Sequence, residues 1–420
     1  MAAWESPQEN TCTLEAPPAS TEWTLPSDLL LEIAARSDIS TVVAFTLACK
    51  LLRSVMLSPS FIGQLTQRGG IVPPCILAYL HTHDGMDDPP APLSLVQPVT
   101  PQLSDFLSNH ISPFVSRFAG DLLAEHVPLT SRGGLVLFQR RCLSDNLSNL
   151  CVYNIFTGQR AFFSDPLGVG PKYSTWLPRY VLLTAEDGID SSFLIFCLHH
   201  AIDERYRSTI KIHTTTPTSS SWELAIMSHN NNGSFPQHWP AIHEKFVVLQ
   251  GGVIHWVVRK HGEIVSYNVC TMEKGTIKLP GPVINFNGEL HLGSYYSHDG
   301  KKLLRLLTYN WLFEISVWHQ LSNGDWASEA VRIDIDEKLQ SVDPYGQPYR
   351  NMIVEFECSS ENSNIVLLRI YTYSGNSTLL IIVDLETKVI REKHHCPTSS
   401  SMLMEIDLSS RLRAMEVSHP

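Results

Sequence analysis

The sequence predicts an α+β chain: a small N-terminal helical module ahead of a large all-β domain built as a β-propeller, with a large β-sandwich as the alternative. Three observations predict it. Residues 27–58 run without Gly or Pro, the longest such stretch of the 420, which marks the strongest helical segment. After about Arg132 apolar residues alternate with a period of two among β-branched, aromatic and turn residues, the pattern of strands. Within that region Asn154, Asn268 and Asp384 each end an apolar run and precede a Thr by three residues, at spacings of 114 and 116.

Composition bounds the function classes. With 43% hydrophobic and 17% charged residues the chain has material for an extensive core. Thirty-one basic against 42 acidic residues leave a net charge of −11, and no Lys/Arg run exceeds a pair, which argues against nucleic-acid backbone binding. The longest apolar runs, such as Leu379–Val383, are only five or six residues, far short of the roughly 20 that span a bilayer. Residues 1–22 hold four Glu, no Lys or Arg and no apolar stretch, unlike a secretory leader. A cytoplasmic or nuclear protein is expected, in which the nine cysteines, none in a C-x-x-C pair, are buried reduced thiols.

Taken in order, residues 1–22 mix Pro7, Pro17 and Pro18 with Ser, Thr and Glu and read as a disordered tail. The helical module spans 23–65. Pro26 suits a first helical position, where its missing N–H has no partner to lose, and Asp28 and Glu32 follow in the early turns. Leu29, Leu30, Ile33 and Ala34 recur at helical spacing. Ser37-Asp38 offers a fresh N-cap, and Val42, Phe45, Leu47, Leu51 and Val55 supply apolar positions beyond it. Short helices this apolar are marginal alone and call for a partner surface.

The run from Leu25 to Ile62, LPSDLLLEIAARSDISTVVAFTLACKLLRSVMLSPSFI, resembles the F-box, the segment that docks a substrate receptor onto the Skp-type adaptor of a cullin–RING ubiquitin ligase. Leu25-Pro26, the Leu29/Leu30/Ile33 face, Arg36, Cys49-Lys50 and Ser58-Pro59-Ser60-Phe61 carry the likeness. Ser37-Asp38 stands where the family usually has Leu-Pro, and Leu52 where it often has Trp. The resemblance implies that Leu25, Pro26, Leu29, Leu30, Ile33 and Leu47 form the adaptor-binding face.

Residues 66–112 read as a helical or irregular connector, punctuated by Gly69-Gly70, Pro73-Pro74 and the acidic, Pro-rich His83–Pro92. His81, His83, Asp84, Asp87 and Asp88 have metal-ligand chemistry, but loop carboxylates beside prolines are as a rule solvated.

The β domain covers 113–420. In its recurring Asx-x-x-Thr fragment the Asx side chain accepts backbone N–H bonds just ahead, the signature of a hairpin turn. Ser220-Ser221-Trp222 and Gly324-Asp325-Trp326, 104 residues apart, fall between these turns, so two hairpin types alternate. Gly133-Gly134, Gly251-Gly252 and Gly288 lead strands and are expected to let inner strands crowd around an axis. Roughly 300 residues at this spacing give about five or six blades. The Gly-Gly…His-Trp, Tyr-Asn-x-x-Thr and Ser-Ser-Trp pieces also resemble the kelch-like F-box-associated domains of plant F-box proteins.

No G-x-S-x-G, H-E-x-x-H, Walker A or G-x-G-x-x-G motif occurs. His199-His200 and His394-His395 place neighbours on opposite strand faces, a poor chelate. Asp334/Asp336 share a face but read as a solvated edge, and Trp239, Trp256, Trp318, Tyr295 and Tyr296 as core before interface. No catalytic, cofactor or metal residue is therefore assigned. The function implied is that of a non-catalytic SCF-type substrate receptor that binds a Skp-type adaptor through the F-box and a target protein through the β domain. The alternatives are a propeller-type hydrolase or lyase and a binding module outside any ligase, sugar-binding included.

Overall fold

A computed structural model describes residues 26–37, 45, 55–56, 61, 75–81, 93–95, 120–141, 149–155, 157–166, 178–202, 208–219, 221–227, 246–249, 251–284, 286, 288–297, 301–309, 314–331, 352–359, 364–372, 378–396 and 401–407. Helix α1 (Ser27–Arg36) opens the described chain. Phe45, Val55, Met56 and Phe61 are helical as well, and Met56 and Phe61 are buried. The remainder of the expected helical module and the expected disordered tail lie outside the described residues.

The β domain is a propeller rather than a sandwich. Five four-stranded antiparallel sheets follow one another along the chain. Blade one is β3 (His126–Arg132), β4 (Leu135–Arg140), β5 (Leu150–Asn154) and β6 (Arg160–Phe163). Blade two is β7 (Arg179–Thr184), β8 (Phe193–Ile202), β9 (Ser208–Thr215) and β10 (Glu223–Met227). Blade three is β11 (Val247–Leu249), β12 (Val253–Val258), β13 (Glu263–Asn268) and β14 (Lys274–Lys278). Blade four is β15 (Glu289–Tyr296), β16 (Lys302–Tyr309), β17 (Ile315–Gln320) and β18 (Trp326–Val331). Blade five is β19 (Met352–Ser359), β20 (Ile365–Thr372), β21 (Thr378–Asp384) and β22 (Val389–Cys396).

A sixth, three-stranded sheet joins the two ends of the described chain. Strand β1 (Cys75–His81) pairs along its whole length with β23 (Ser401–Asp407), and β2 (Leu93–Leu95) pairs on the other edge of β1. Neighbouring sheets meet through their first strands, β3 with β7, β11 with β15 and β15 with β19, and β23 lies against β3. The last described strand is thus the inner strand of the sheet that adjoins blade one. The connector was expected to be helical or irregular, yet it contributes β1 and β2 to this sheet; Cys75–His81 is an apolar run whose pairing partner lies more than three hundred residues away.

The core is a set of apolar seams between blades. Leu137, Leu150 and Val152 face Leu182, Ile195 and Cys197 across the first seam, and Leu183, Phe196 and Ile212 face Ile254, Trp256 and Tyr267 across the second. Val257 and Ile264 meet Leu292 and Leu304 across the third, and Leu307 and Val317 meet Val354 and Leu368 across the fourth. A strand inside such a stack is covered on both faces, so Val181 to Thr184 and Ile254 to Val257 are buried without alternation. The period of two survives on outer strands, where β6 and β14 alternate exposed and half-buried residues.

The Gly-Gly pairs are not on inner strands as expected. Gly133-Gly134 and Gly251-Gly252 form turns between the first and second strands of their blades, all four at positive φ. Gly288 does lead an inner strand, and there a Cβ would collide with the Tyr309 carbonyl, so the close approach of β15 and β16 requires glycine. A short helix, α2 (Gly120–Glu125), precedes β3 and is pinned to blade one by Asp121–Arg160 and Glu125–Arg140 ion pairs, at 2.8 and 2.9 Å. Another, α3 (Gly281–Ile284), links blades three and four. No described helix is long and apolar enough to cross a membrane.

Candidate functional site

Two places carry features beyond packing: the outward face of α1 and the turn face of the propeller. In α1 the Pro26 carbonyl accepts the N–H groups of Leu29 and Leu30 at 3.0 and 3.1 Å, so proline starts the first turn as its fixed φ allows. Ala34 is fully buried, whereas Leu29 is 51% and Ile33 44% exposed. Spacing of i and i+4 puts those two on one stripe. Glu32 and Arg36 pair beside them at 2.6 Å. Ser37 ends this helix: its hydroxyl donates to the Ile33 carbonyl at 2.8 Å and its N–H to that of Ala34; the helix expected to start at Ser37-Asp38 lies outside the described residues.

Of the six expected adaptor residues, α1 therefore brings Leu29 and Ile33 together on an exposed stripe, with Pro26 exposed at its start and Leu30 half-buried. Leu25 and Leu47 lie outside the described residues, as do Asp38 and Leu52.

On the propeller the expected Asx turns form at the third-to-fourth strand connections of blades one, three and five. Asn154 Oδ1 accepts the Thr157 N–H at 3.2 Å, Asn268 Oδ1 those of Cys270 and Thr271 at 2.8 and 3.0 Å, and Asp384 Oδ1 those of Glu386 and Thr387 at 3.0 and 3.1 Å. In each blade the residue after the Asx donates its N–H to the first-to-second strand turn: Ile155 to Gly134, Val269 to Gly252 and Leu385 to Asn364. The two turns of a blade are so tied on one face. Four residues beyond each Asx the backbone is left-handed, at Gly158, Met272 and Lys388.

Blades two and four carry the other hairpin type, and there tryptophan ties blade to blade. The Trp222 indole N–H donates to the Ser164 carbonyl of blade one at 2.8 Å, and that of Trp326 to the Lys278 carbonyl of blade three at 3.0 Å. In the sequence both tryptophans stand as repeat signs, and nothing there announces their cross-blade role. A further tie has no sign in the sequence at all. Arg132, at the end of β3, makes a two-pronged ion pair with Asp187 in the first turn of blade two, at 2.5 and 2.6 Å, and Asp187 also accepts the Thr184 N–H.

The other candidates disperse. Trp256 is core at 2% exposure, and Trp318 and Tyr295 are half-buried in blade four. Among the described residues no group of three His, Cys, Asp or Glu is placed to hold a metal. Asp334, Asp336, Trp239, His83, Asp84, Asp87 and Asp88 lie outside the described residues, and so do the side chains of His81, His200, His394, His395 and Tyr296. Of the described cysteines, Cys151 and Cys197 are buried as expected, and burial pushes the Cys151 thiol up to about 12. Cys270 departs from the expectation: it is exposed on the Asx turn of blade three, because that turn leaves the sheet before Cys270 can reach a seam.

A family model described as a domain of unknown function, DUF7595, matches residues 103–417. The chain belongs to the DUF7595 family. The DUF7595 region takes in all five four-stranded blades and β23, and leaves α1, β1 and β2 outside. No curated protein matches the chain in sequence. Among solved structures, the DUF7595 chain is similar to the fungal lectin of Aleuria aurantia, described as a six-bladed β-propeller, with 13% identity over 66% of this chain and 80% of the lectin and a TM-score of 0.35. It is similar also to a catalytically inactive virginiamycin B lyase from Staphylococcus aureus, with 9% identity over 65% and 85% of the two chains and a TM-score of 0.29. The protein AofleA from Arthrobotrys oligospora is 9% identical over 65% and 71%, with a TM-score of 0.33.

Proposed function

We propose that this chain is the substrate-recognition subunit of an SCF-type cullin–RING ubiquitin ligase, docking a Skp-type adaptor through α1 and the segment that follows it and holding a target protein on the propeller. The observation that carries the reading is the stripe of Leu29 and Ile33, two large apolar side chains about half exposed on one face of a helix whose Ala34 is buried. Exposed apolar side chains paired on a helix fit insertion into an apolar groove. The F-box resemblance places adaptor contacts at the same positions. Covering the exposed halves of both side chains contributes about 2 kcal/mol, roughly thirtyfold in affinity.

In this role the chain needs no catalytic residue, metal or cofactor. It works by proximity, holding a target lysine near a charged conjugating enzyme and so raising its effective concentration. The rigid seams suit such a scaffold, with recognition by turns carried on the blade ends. The reading places the protein in the cytoplasm or nucleus, where that machinery operates.

The test is co-expression of the full chain with a Skp-type adaptor, beside a Leu29→Ala/Ile33→Asp variant. Wild type is expected to co-purify stoichiometrically and the variant to lose the adaptor while keeping the wild-type melting temperature. Equal retention by both, or by neither when both are folded, overturns the reading.

A further inference from the structure

The seam between blades one and two carries a feature that the adaptor reading does not use. His199 on β8 and His213 on β9 stack ring on ring, centroids 4.9 Å apart and planes 13° from parallel, and they are 1% and 4% exposed. The register explains the stack. Cys197 lies opposite His213 and Lys211 opposite His199, so all four side chains project from the same face of the pleated sheet. That is the face turned to blade one, where Cys197 packs with Leu137, Leu150 and Val152. The ring of Trp222 meets His213 edge-on, 6.5 Å away at 86°, and its indole N–H is the one that crosses to Ser164. The histidine pair thus stands behind the hydrogen bond that fastens the outer strand of blade two to blade one.

We propose that the His199–His213 stack makes the seam between blades one and two a proton-sensitive joint: protonation of the pair separates the rings, withdraws Trp222 from Ser164 and loosens β10 from blade one. A charge on either buried ring is far more poorly solvated there than the neutral imidazole, and it repels a charge on the other. Most groups facing the pair add to this, and one carboxylate opposes it. From β9, Lys211 adds a like charge beside His199. From β7 and β8, Tyr180 and Cys197 remain neutral, since burial pushes both hydroxyl and thiol up. β10 presents Trp222 and Leu224, which carry no charge. Blade one brings Asp165, whose carboxylate accepts hydrogen bonds from the Tyr180 hydroxyl at 3.3 Å and the Asn149 amide at 2.7 Å.

Burial, with Lys211 adding to it, pushes His213 down from 6.5 to about 4. An opened seam restores the ordinary value, so between pH 6.5 and 4 the open form binds more protons than the closed one. The closed seam is therefore fully favoured above pH 6.5 and loses ground as the pH falls toward 4. At neutral pH the joint stays shut.

Hydrogen exchange of the full chain, followed by mass spectrometry from pH 7 to 4.5 and corrected for intrinsic rates, tests this blade by blade. The expected result is at least tenfold faster exchange in β6, β9 and β10 below about pH 5.5 while β19 to β21 of blade five keep their protection. His213→Phe, which keeps an aromatic ring in the stack and cannot take a proton, is expected to move the onset down by about one pH unit. Simultaneous loss of protection in all blades, or an unchanged onset in His213→Phe, overturns the proposal. If that variant lacks protection already at pH 7, the order in which the wild-type blades open decides alone. Adaptor binding plays no part in the readout, so the proposal stands or falls apart from the ligase reading.

Discussion

Lys388 and Met272 hold the two positive-φ backbones of the described non-glycine residues, at +57° and +59°. Both occupy the place that Gly158 fills in blade one, four residues past the Asx. An L-residue there costs roughly 1–2 kcal/mol, which glycine avoids at some expense in unfolded-state entropy. Lys388→Gly is accordingly expected to raise stability by about 0.5–1 kcal/mol and Gly158→Ala to lower it by about 1 kcal/mol or more, as read from urea midpoints at constant m-value. These turns were legible in the sequence because their chemistry is local: an Asx acceptor, a Thr three residues on and a chain reversal need nothing from the rest of the molecule. Their left-handed residue was not, since Met and Lys give no sign of that backbone.

Strands and turns become blades through contacts that sequence spacing does not announce. Arg132 and Asp187 are 55 residues apart and meet only because the first turn of blade two lies against the end of β3. Asp187 is nearly buried, and it serves Thr184 as well. Removing it takes a two-pronged carboxylate from the Arg132 guanidinium and leaves a backbone N–H without its acceptor. Asp187→Ala is expected to cost about 3 kcal/mol in chemical denaturation, and Arg132→Ala in the same background to cost little more, the coupling of a shared pair. The inner strands show a second limit of sequence reading. Alternation announces a half-exposed strand, and strands covered on both faces by neighbouring blades, such as Tyr180 to Thr184, lose it; the period of two that marked this region as β came from its edges.

At the scale of the molecule, propeller and blade number were foreshadowed by repeat spacing, whereas the use of the connector was not. Cys75–His81 carries no turn signature and no repeat, and its partner β23 is the last described strand, so only the folded pairing reveals its role. The sixth sheet, and its contact with blade one through β23, depend on that pairing. Removal of residues 401–420 takes β23 from both β1 and β3 and is expected to replace one cooperative thermal transition with a broader one at lower temperature. A calorimetric scan beside the full chain checks this, and an unchanged melting temperature would show that blades one to five hold without the sixth sheet. A fragment cut at residue 103 has the reciprocal defect, keeping β23 without β1.

The shared sheet also sets a timetable. A ribosome delivers β1 early and β23 only after roughly 330 further residues, an interval on the order of 15–60 s at ordinary elongation rates. Throughout it one edge of β1 stays unpaired, with seven residues of open backbone, the kind of edge that recruits foreign strands. The nascent chain is therefore most vulnerable at residues 75–81 until residues 401–407 arrive, and a chaperone that shields residues 75–81 during translation would protect the whole propeller.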